Sequence, residues 1–396
     1  MSSYKRTNYE EIIERAAGPR NFLQVLSGPR QVGKTTLAQQ AKEGLSFPCH
    51  YVSADDPTLR DVSWIEQQWE IGRYRTTQDS NSHEALLILD EIQKIPHWAD
   101  MVKKLWDQDT LKGLALKVML LGSSTLLIQA GLAENLAGRF EVLPVRHWSY
   151  AECSDAFDVS LEEYIYFGGY PGAMPLIKQP QRWRRYIIDS IIETSLSRDV
   201  LLTTRIHKPI LMRRLLELAC HASGSIFSFQ QIIGQLQDSG NSHTVAQYLH
   251  LLSEVGMATG LNKISSKPAS KPSSPKLQVY NTALISASNT YSLEAAQENR
   301  EYWDALVQSS VGAHLLNATM GSSIKILYWK EGNNEVDFVI QQGDEILTIE
   351  LESSFKKYNT GFDAFSQEFK PKRRFLIGET GIPLQEFLLT PVDSLF

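Results

Sequence analysis

The chain has 396 residues, 39 Lys+Arg against 45 Asp+Glu for a formal net charge of −6, and 42% hydrophobic residues. That length suits two or three domains of roughly 100–200 residues each, and the apolar content excludes wholesale disorder, which combines low hydrophobicity with high net charge. The mild acidity argues against coating nucleic acid through bulk charge but leaves room for a local basic patch. Three scattered cysteines, Cys49, Cys153 and Cys220, form no CxxC pair. That argues against a cysteine-rich zinc site or a disulfide framework and fits a reducing compartment. The opening segment MSSYKRTNYEEIIERA carries alternating charges and no apolar h-region, so no signal peptide is expected. The most apolar stretches, near residues 86–89 and 118–121, are far shorter than the ~20 residues of a spanning helix. The expectation is a soluble, cytoplasmic protein with no membrane partner.

In chain order, residues 22–27 (FLQVLS) read as a short buried strand, followed by a Gly-rich turn and a helical run over 34–42. Residues 47–53, 85–89 (ALLIL) and 117–121 (KVMLL) read as further strands. Such apolar runs with helical segments between them predict parallel strands covered on both faces, an α/β sheet over the first ~145 residues. From about Leu161 the pattern turns helical, with apolar residues at three- and four-residue spacing over 182–202 and 211–221. Two short helices at 229–236 and 242–254 are separated by DSGN. The Pro/Ser-rich segment KISSKPASKPSSPK (263–276) marks a surface loop or linker, and the strand-like LQVY follows it. The last ~100 residues give a helix at 302–318, strands ILYW, EVDFVI and ILTIEL, a helix near 362–369 and the strand RRFLIG, a small α/β unit of its own. No internal repeat is visible.

Gly28-Pro29-Arg30-Gln31-Val32-Gly33-Lys34-Thr35 matches the phosphate-binding loop G-x-x-x-x-G-K-[ST] and lies between a strand and a helix, as that mechanism requires. The loop and Thr36 beyond it are the expected nucleotide contacts. Lys34 reaches the β- and γ-phosphates, the Thr35 hydroxyl ligates Mg²⁺, and the helix start adds its positive dipole end. The strand 86–89 ends in Asp90 and Glu91. Asp90 is placed to hold Mg²⁺ through water, and Glu91 to polarise the attacking water as a general base. At the tip of the fourth strand Ser123 is a γ-phosphate sensor or, equally, a helix N-cap. Arg139, in LAGR, is a γ-phosphate sensor or an arginine finger, which a neighbouring subunit can supply. ATP and Mg²⁺ are the expected cofactors, and a homo-oligomer is an expected assembly.

Taken together, GPRQVGKTTL, LILDEIQKIPHW, LLGSS and LAGR, followed by YFGGYPG at residues 166–172, resemble the prokaryotic ATP-binding proteins that join an AAA-type ATPase (AAA_14) to a C-terminal DUF4143 domain. The resemblance spans nearly the whole chain. It implies an additional-strand P-loop fold, a winged-helix segment and a C-terminal domain resembling the PD-(D/E)xK nuclease fold. The expected domains are an AAA-type P-loop ATPase at 1–155, a helical region at 156–225, a winged helix with a basic Ser/Pro-rich wing at 226–283 and a restriction-endonuclease-like α/β domain at 284–396.

The helix pair 229–236 and 242–254 fits a helix-turn-helix. Val245, Leu249 and Leu252 are expected to face the core, leaving His243, Thr244, Gln247 and His250 for a major groove, with lysines 263, 267, 271 and 276 on the wing. Residues 205–280 hold eight Lys/Arg and three Asp/Glu, the footprint expected of phosphate contact with double-stranded DNA. A protein-binding winged helix is the competing reading, and the second helix carries no Arg. In the C-terminal unit, Asp337 and Glu350 match the metal-binding Asp and Glu of the nuclease pattern. Glu352 stands where the pattern has Lys and is a third candidate metal ligand, since carboxylates alone can assemble a metal site, and Asp304 on the preceding helix is the candidate for the position where related domains carry a Glu. Losing the Lys removes a charge that stabilises the developing phosphorane, so a degenerate domain is favoured over an active nuclease. The expected function is a Mg²⁺-dependent ATPase acting as a DNA-associated switch. An ATP-regulated nuclease and a signalling ATPase with a protein partner are the alternatives.

Overall fold

The structure is a computed structural model, and it describes residues 4–55, 61–78, 83–122, 132, 135–200, 208–236, 241–266, 273–352 and 361–396. It divides into two compact units, 1–145 and 146–396.

The first unit runs α1 (Tyr9–Ala17), β1 (Leu23–Ser27), α2 (Lys34–Gly44), β2 (Cys49–Ser53), α3 (Val62–Thr76), β3 (Glu84–Asp90), α4 (Trp98–Lys112), β4 (Ala115–Gly122) and β5 (Phe140–Pro144). Its five strands lie in the order β2-β3-β4-β1-β5, and every neighbouring pair is parallel. Alternate residues of each strand point to opposite faces, and both faces are covered. Leu87, Leu89, Val118 and Leu120 pack with Trp64, Trp69, Val102 and Trp106 on one side. Leu86, Ile88, Met119 and Leu121 pack with Ile12, Leu37, Ala38 and Ala41 on the other. This double burial is why the strands read as unbroken apolar runs. Because all strands run the same way, the turns after β1, β3 and β4 gather at one edge of the sheet.

The second unit opens with α5 (Tyr150–Phe157) and α6 (Leu161–Phe167), each started by a capping box from Ser149 with Glu152 and from Ser160 with Glu163. Then come α7 (Pro180–Arg185), two π-helical segments (Tyr186–Ile192 and Ser195–Val200), α8 (Pro209–His221), α9 (Phe229–Leu236) and α10 (Ser242–Glu254). The long helix expected over 182–202 is thus an α-turn widened into i→i+5 segments. Strands β6 (Ala258–Lys263) and β7 (Lys276–Val279) form an antiparallel hairpin, and Ile226 makes an isolated antiparallel bridge to Lys276. After α11 (Ala283–Ala287), α12 (Leu293–Glu298) and α13 (Arg300–Thr319) come β8 (Lys325–Glu331), β9 (Asn334–Gln342), β10 (Glu345–Leu351), α14 (Gly361–Phe369), β11 (Arg373–Ile377) and α15 (Leu384–Leu389). The hairpin is continuous with the C-terminal strands in one six-stranded sheet, β11-β10-β9-β8-β6-β7.

The YFGGYPG motif has a structural task in this unit. The Gly169 N–H and the Ala283 N–H both donate to Asn281 Oδ1, at 3.2 and 3.1 Å. The Asn281 amide meets His147 Nδ1 at 3.2 Å, and His147 Nε2 meets the Gly256 carbonyl at 2.9 Å. A side chain at Gly168 would bring a Cβ to 1.9 Å from Asn281 Oδ1. Among the described residues no helix is long and apolar enough to cross a membrane.

Candidate functional site

The turn after β1 is shaped by close packing and left-handed backbone. A Cβ on Gly28 would lie 1.9 Å from the Val145 carbonyl oxygen, because Val145 N–H bonds to Ser27 O at 2.7 Å and pulls the chain after β5 against the turn. Gln31 and Gly33 take φ of 60° and 93°, and Gly33 is the residue from which α2 starts. Val32, fully buried, pins the loop from below, and Arg6 donates to its carbonyl at 3.1 Å. Lys34 is buried, its ammonium donating to the Gly28 and Pro29 carbonyls at 2.8 and 2.6 Å. A phosphate oxygen, being charged, is a stronger acceptor for that ammonium than either carbonyl. Thr35 and Thr36 lie exposed on the first turn of α2, with Arg30 half-buried in the loop.

The tip of β3 meets this loop. Thr35 Oγ1 donates to Asp90 Oδ2 at 2.9 Å, so the hydroxyl and carboxylate expected to share a metal are in contact. Asp90 is 5% exposed. Its Oδ2 also accepts from the Tyr51 hydroxyl at 2.7 Å, and its Oδ1 accepts from the Glu91 N–H at 2.9 Å. Burial, reinforced by the hydrogen bond and charge of Asp90, pushes the Tyr51 phenol well above its ordinary range. Glu91 has φ 54°, a left-handed conformation that costs a non-glycine residue about 1–3 kcal/mol and concentrates at functional sites. Its Oε2 accepts from the Gln93 amide at 2.8 Å, with Lys94 Nζ at 3.6 Å.

Ser123 lies outside the described residues. Arg139 is described and lies at the far edge of the sheet: it immediately precedes β5, and its carbonyl accepts from Leu23 N–H at the start of β1. A five-residue strand separates it from the phosphate loop, on the order of 15 Å at strand rise. Asp107 grips its guanidinium in a two-point pair at 2.7 and 3.0 Å, and that bond holds its pKa above the ordinary value.

In the second unit the three carboxylates expected to share a metal do not converge. Ile349 lies opposite Phe338 in the β9–β10 ladder, so Asp337 and Glu350 follow on neighbouring strands, each 1% exposed. Asp337 Oδ2 accepts from the Leu351 N–H and Oδ1 from the Gln308 amide, both at 3.0 Å. Gln308 lies one turn beyond Asp304 on α13. Glu352 turns away, held by the Thr380 N–H at 2.9 Å and by the Thr380 hydroxyl, and those bonds lower its pKa. Among the described residues no group of three or more His, Cys, Asp or Glu side chains is placed to hold a metal.

Lys276 corrects a second expectation. Placed on the solvated wing by its sequence context, it is instead fully buried. Its ammonium donates to the Asp337 carbonyl at 3.0 Å and lies 3.4 Å from Glu335 Oε1 and 3.7 Å from Asp337 Oδ1. The reason is strand pairing: Lys276 starts β7, which is held by β6 and by the Ile226 bridge, and only paired carboxylates make a buried ammonium tolerable. Tyr51, Gln308 and Lys276 carry no motif, and only their contacts with neighbouring elements reveal them.

Comparison with known proteins fits the first unit's geometry. Residues 20–154 match the family model of an AAA domain, AAA_14, and residues 303–394 match DUF4143, a domain of unknown function. The chain carries an AAA domain and a DUF4143 domain. Between them, residues 158–294 match a further domain of unknown function, DUF8612. The AAA domain has the α/β P-loop NTPase fold with a parallel sheet. An uncharacterized protein of Haemophilus influenzae is 20% identical over 59% of this chain, which covers 60% of that relative's length. An uncharacterized protein of Mycobacterium tuberculosis is 24% identical over 80% of this chain and 67% of its own. The Walker-type ATPase PABY2304 of Pyrococcus abyssi is similar in structure, with a TM-score of 0.49 and 12% identity over 72% of this chain and 95% of that one.

Proposed function

We propose that this protein is a Mg²⁺-dependent ATPase whose nucleotide state acts as a switch on the rest of the chain, and that the switch is DNA-associated. The observation that carries the ATPase is the bond between Thr35 of the phosphate loop and Asp90 of the β3 tip, which joins the two halves of a metal–nucleotide site. Both are hard oxygen donors of the kind Mg²⁺ takes. When bound, the metal and triphosphate supply charge neutralisation and the bond to be cleaved. Lys34 transfers its ammonium from the loop carbonyls to phosphate oxygens, Thr35 and Asp90 hold the metal side, and the N-terminus of α2 adds its dipole. A Glu91 Oε atom takes the proton of the attacking water, with Gln93 and Lys94 fixing the carboxylate. Arg139, at the opposite edge of its own sheet, serves the site of a neighbouring copy, so the working form is a homo-oligomer.

The DNA-associated part rests on element order. Helices α8, α9 and α10, the Ile226 bridge and the β6/β7 hairpin follow the order of a winged helix, and His243, Gln247 and His250 are exposed on α10 opposite buried Val245, Leu249 and Leu252. The Lys276 ammonium, 3.7 Å from Asp337 Oδ1, offsets the carboxylate charge that a metal would need and favours a C-terminal domain that does not cut.

The test is ATP hydrolysis by purified protein with Mg²⁺, with and without double- and single-stranded DNA, the DNA then run on a gel. The expected result is hydrolysis stimulated by DNA that stays intact. Hydrolysis indifferent to DNA, with no binding, removes the DNA part and leaves a protein partner. Cut DNA overturns the reading of the C-terminal domain, and absence of nucleotide binding overturns the ATPase.

A further inference from the structure

Asp90 is not held by the phosphate loop alone. Its Oδ2 accepts two side-chain hydroxyls, Thr35 at 2.9 Å and Tyr51 at 2.7 Å. Tyr51 stands on β2 opposite Ile88 of β3, so period-two alternation puts its side chain on the same sheet face as Asp90, two residues on. The Gln39 side chain is near enough to the phenol to bear on its ionisation. Thr35 and Gln39 are four residues apart on α2 and therefore share one helix face. That face meets Asp90 directly through Thr35 and brings Gln39 near the phenol.

We propose that Tyr51 is a positioning residue for the metal bound with nucleotide, fixing the Asp90 carboxylate in the orientation that the metal's ligand shell meets. The inference rests on the ATPase reading above. Thr35 has two demands on one oxygen: it donates to Asp90 and turns a lone pair toward the cation. Tyr51 has only the first, so it is the side-chain donor that keeps Asp90 in place when the cation engages Thr35. Without it the carboxylate retains one side-chain donor and regains rotational freedom, and the cation must restrict that freedom on binding. Nucleotide contacts made by the loop backbone and Lys34 do not depend on it.

The test is Tyr51→Phe, which keeps the ring and its packing and removes only the hydroxyl. Mn²⁺ binding is followed by electron paramagnetic resonance on the full chain with saturating ADP, and ADP binding by calorimetry in EDTA. The expected result is a half-saturating Mn²⁺ concentration raised about tenfold, the usual scale of one charge-assisted hydrogen bond, with metal-free ADP affinity within about twofold of wild type. Gln39→Ala, which takes away the phenol's neighbour and keeps its hydroxyl, shifts Mn²⁺ binding in the same direction by less and guards against a Tyr51→Phe chain that does not fold. An unaltered Mn²⁺ titration in Tyr51→Phe overturns the inference alone, as does an equal loss of metal-free ADP affinity. A wild-type chain that binds no ADP takes down the ATPase reading and this inference with it.

Discussion

Asp90 and Asp337 are the same residue type in nearly the same burial, 5% and 1% exposed, each on a strand and each accepting one backbone N–H. Their side-chain partners separate them. Asp90 is met by two neutral hydroxyls at the mouth of a loop whose backbone is bent for anions. Asp337 is met by an amide and lies 3.7 Å from a fully buried ammonium. Neutral donors orient a carboxylate while leaving its charge for a cation, whereas a fixed ammonium neutralises it from within. Two acids that the sequence offers as metal ligands thus differ in what they have left to offer.

The largest expected effects lie on the Asp90 side. Glu91→Gln should lower ATP turnover roughly 100-fold or more, the scale of a lost general base, while nucleotide affinity stays near wild type. Steady-state hydrolysis beside equilibrium binding separates the two, and unchanged turnover would remove Glu91 from its role. Lys34→Ala should depress binding and turnover together, on the order of 100-fold, as loss of a phosphate-stabilising charge does. Full binding by that variant would mean that the ammonium never leaves the Gly28 and Pro29 carbonyls.

How much of this contrast the sequence could reveal follows from its physics. The strands of the first unit are legible because burial on both faces leaves unbroken apolar runs, and the loop is legible because phosphate binding demands fixed residue types at fixed spacing. Helices α9 and α10 are legible from their apolar periodicity to the residue. The Asp337 environment is not. Lys276 ends a Ser/Pro-rich segment and reads as solvated, and only the pairing of β7 with β6 and Ile226, set by residues far apart in the chain, puts it beside Glu335 and Asp337. Glu352 reads as a metal ligand because it follows Glu350 by two, yet Thr380, 28 residues downstream, takes it. Tyr51 is hidden for the same reason as Lys276, since its partner lies on a neighbouring strand.

Lys276→Met tests the other half of the comparison. Removing one partner leaves buried carboxylate uncompensated, so unfolding stability of the second unit should fall by about 3–5 kcal/mol. Adding Asp337→Asn should recover part of it, as measured by urea denaturation of each variant. With the ammonium gone, Asp337 should also gain affinity for Mn²⁺ in the single variant. A loss below about 1 kcal/mol, the scale of an exposed pair, would show that Lys276 does not neutralise Asp337.

The smallest effect separates the units by pH. His314, on α13 against Phe387, is held down to about 4 from its ordinary 6.5, chiefly by burial. Between those values the unfolded chain takes up a proton that the folded one refuses. Stability from the neutral imidazole is therefore fully present above pH 6.5 and is lost as pH falls toward 4, on the order of 3 kcal/mol at 1.36 kcal/mol per unit. His314→Leu keeps an apolar side chain against Phe387 and removes the proton site. Unfolding free energy measured from pH 7 to 4 should then lose that part of its slope in the second unit, while nucleotide binding at Asp90 stays as pH-dependent as in wild type. An unchanged slope would mean that some other group sets the acid sensitivity, and His314 would be a packing residue only.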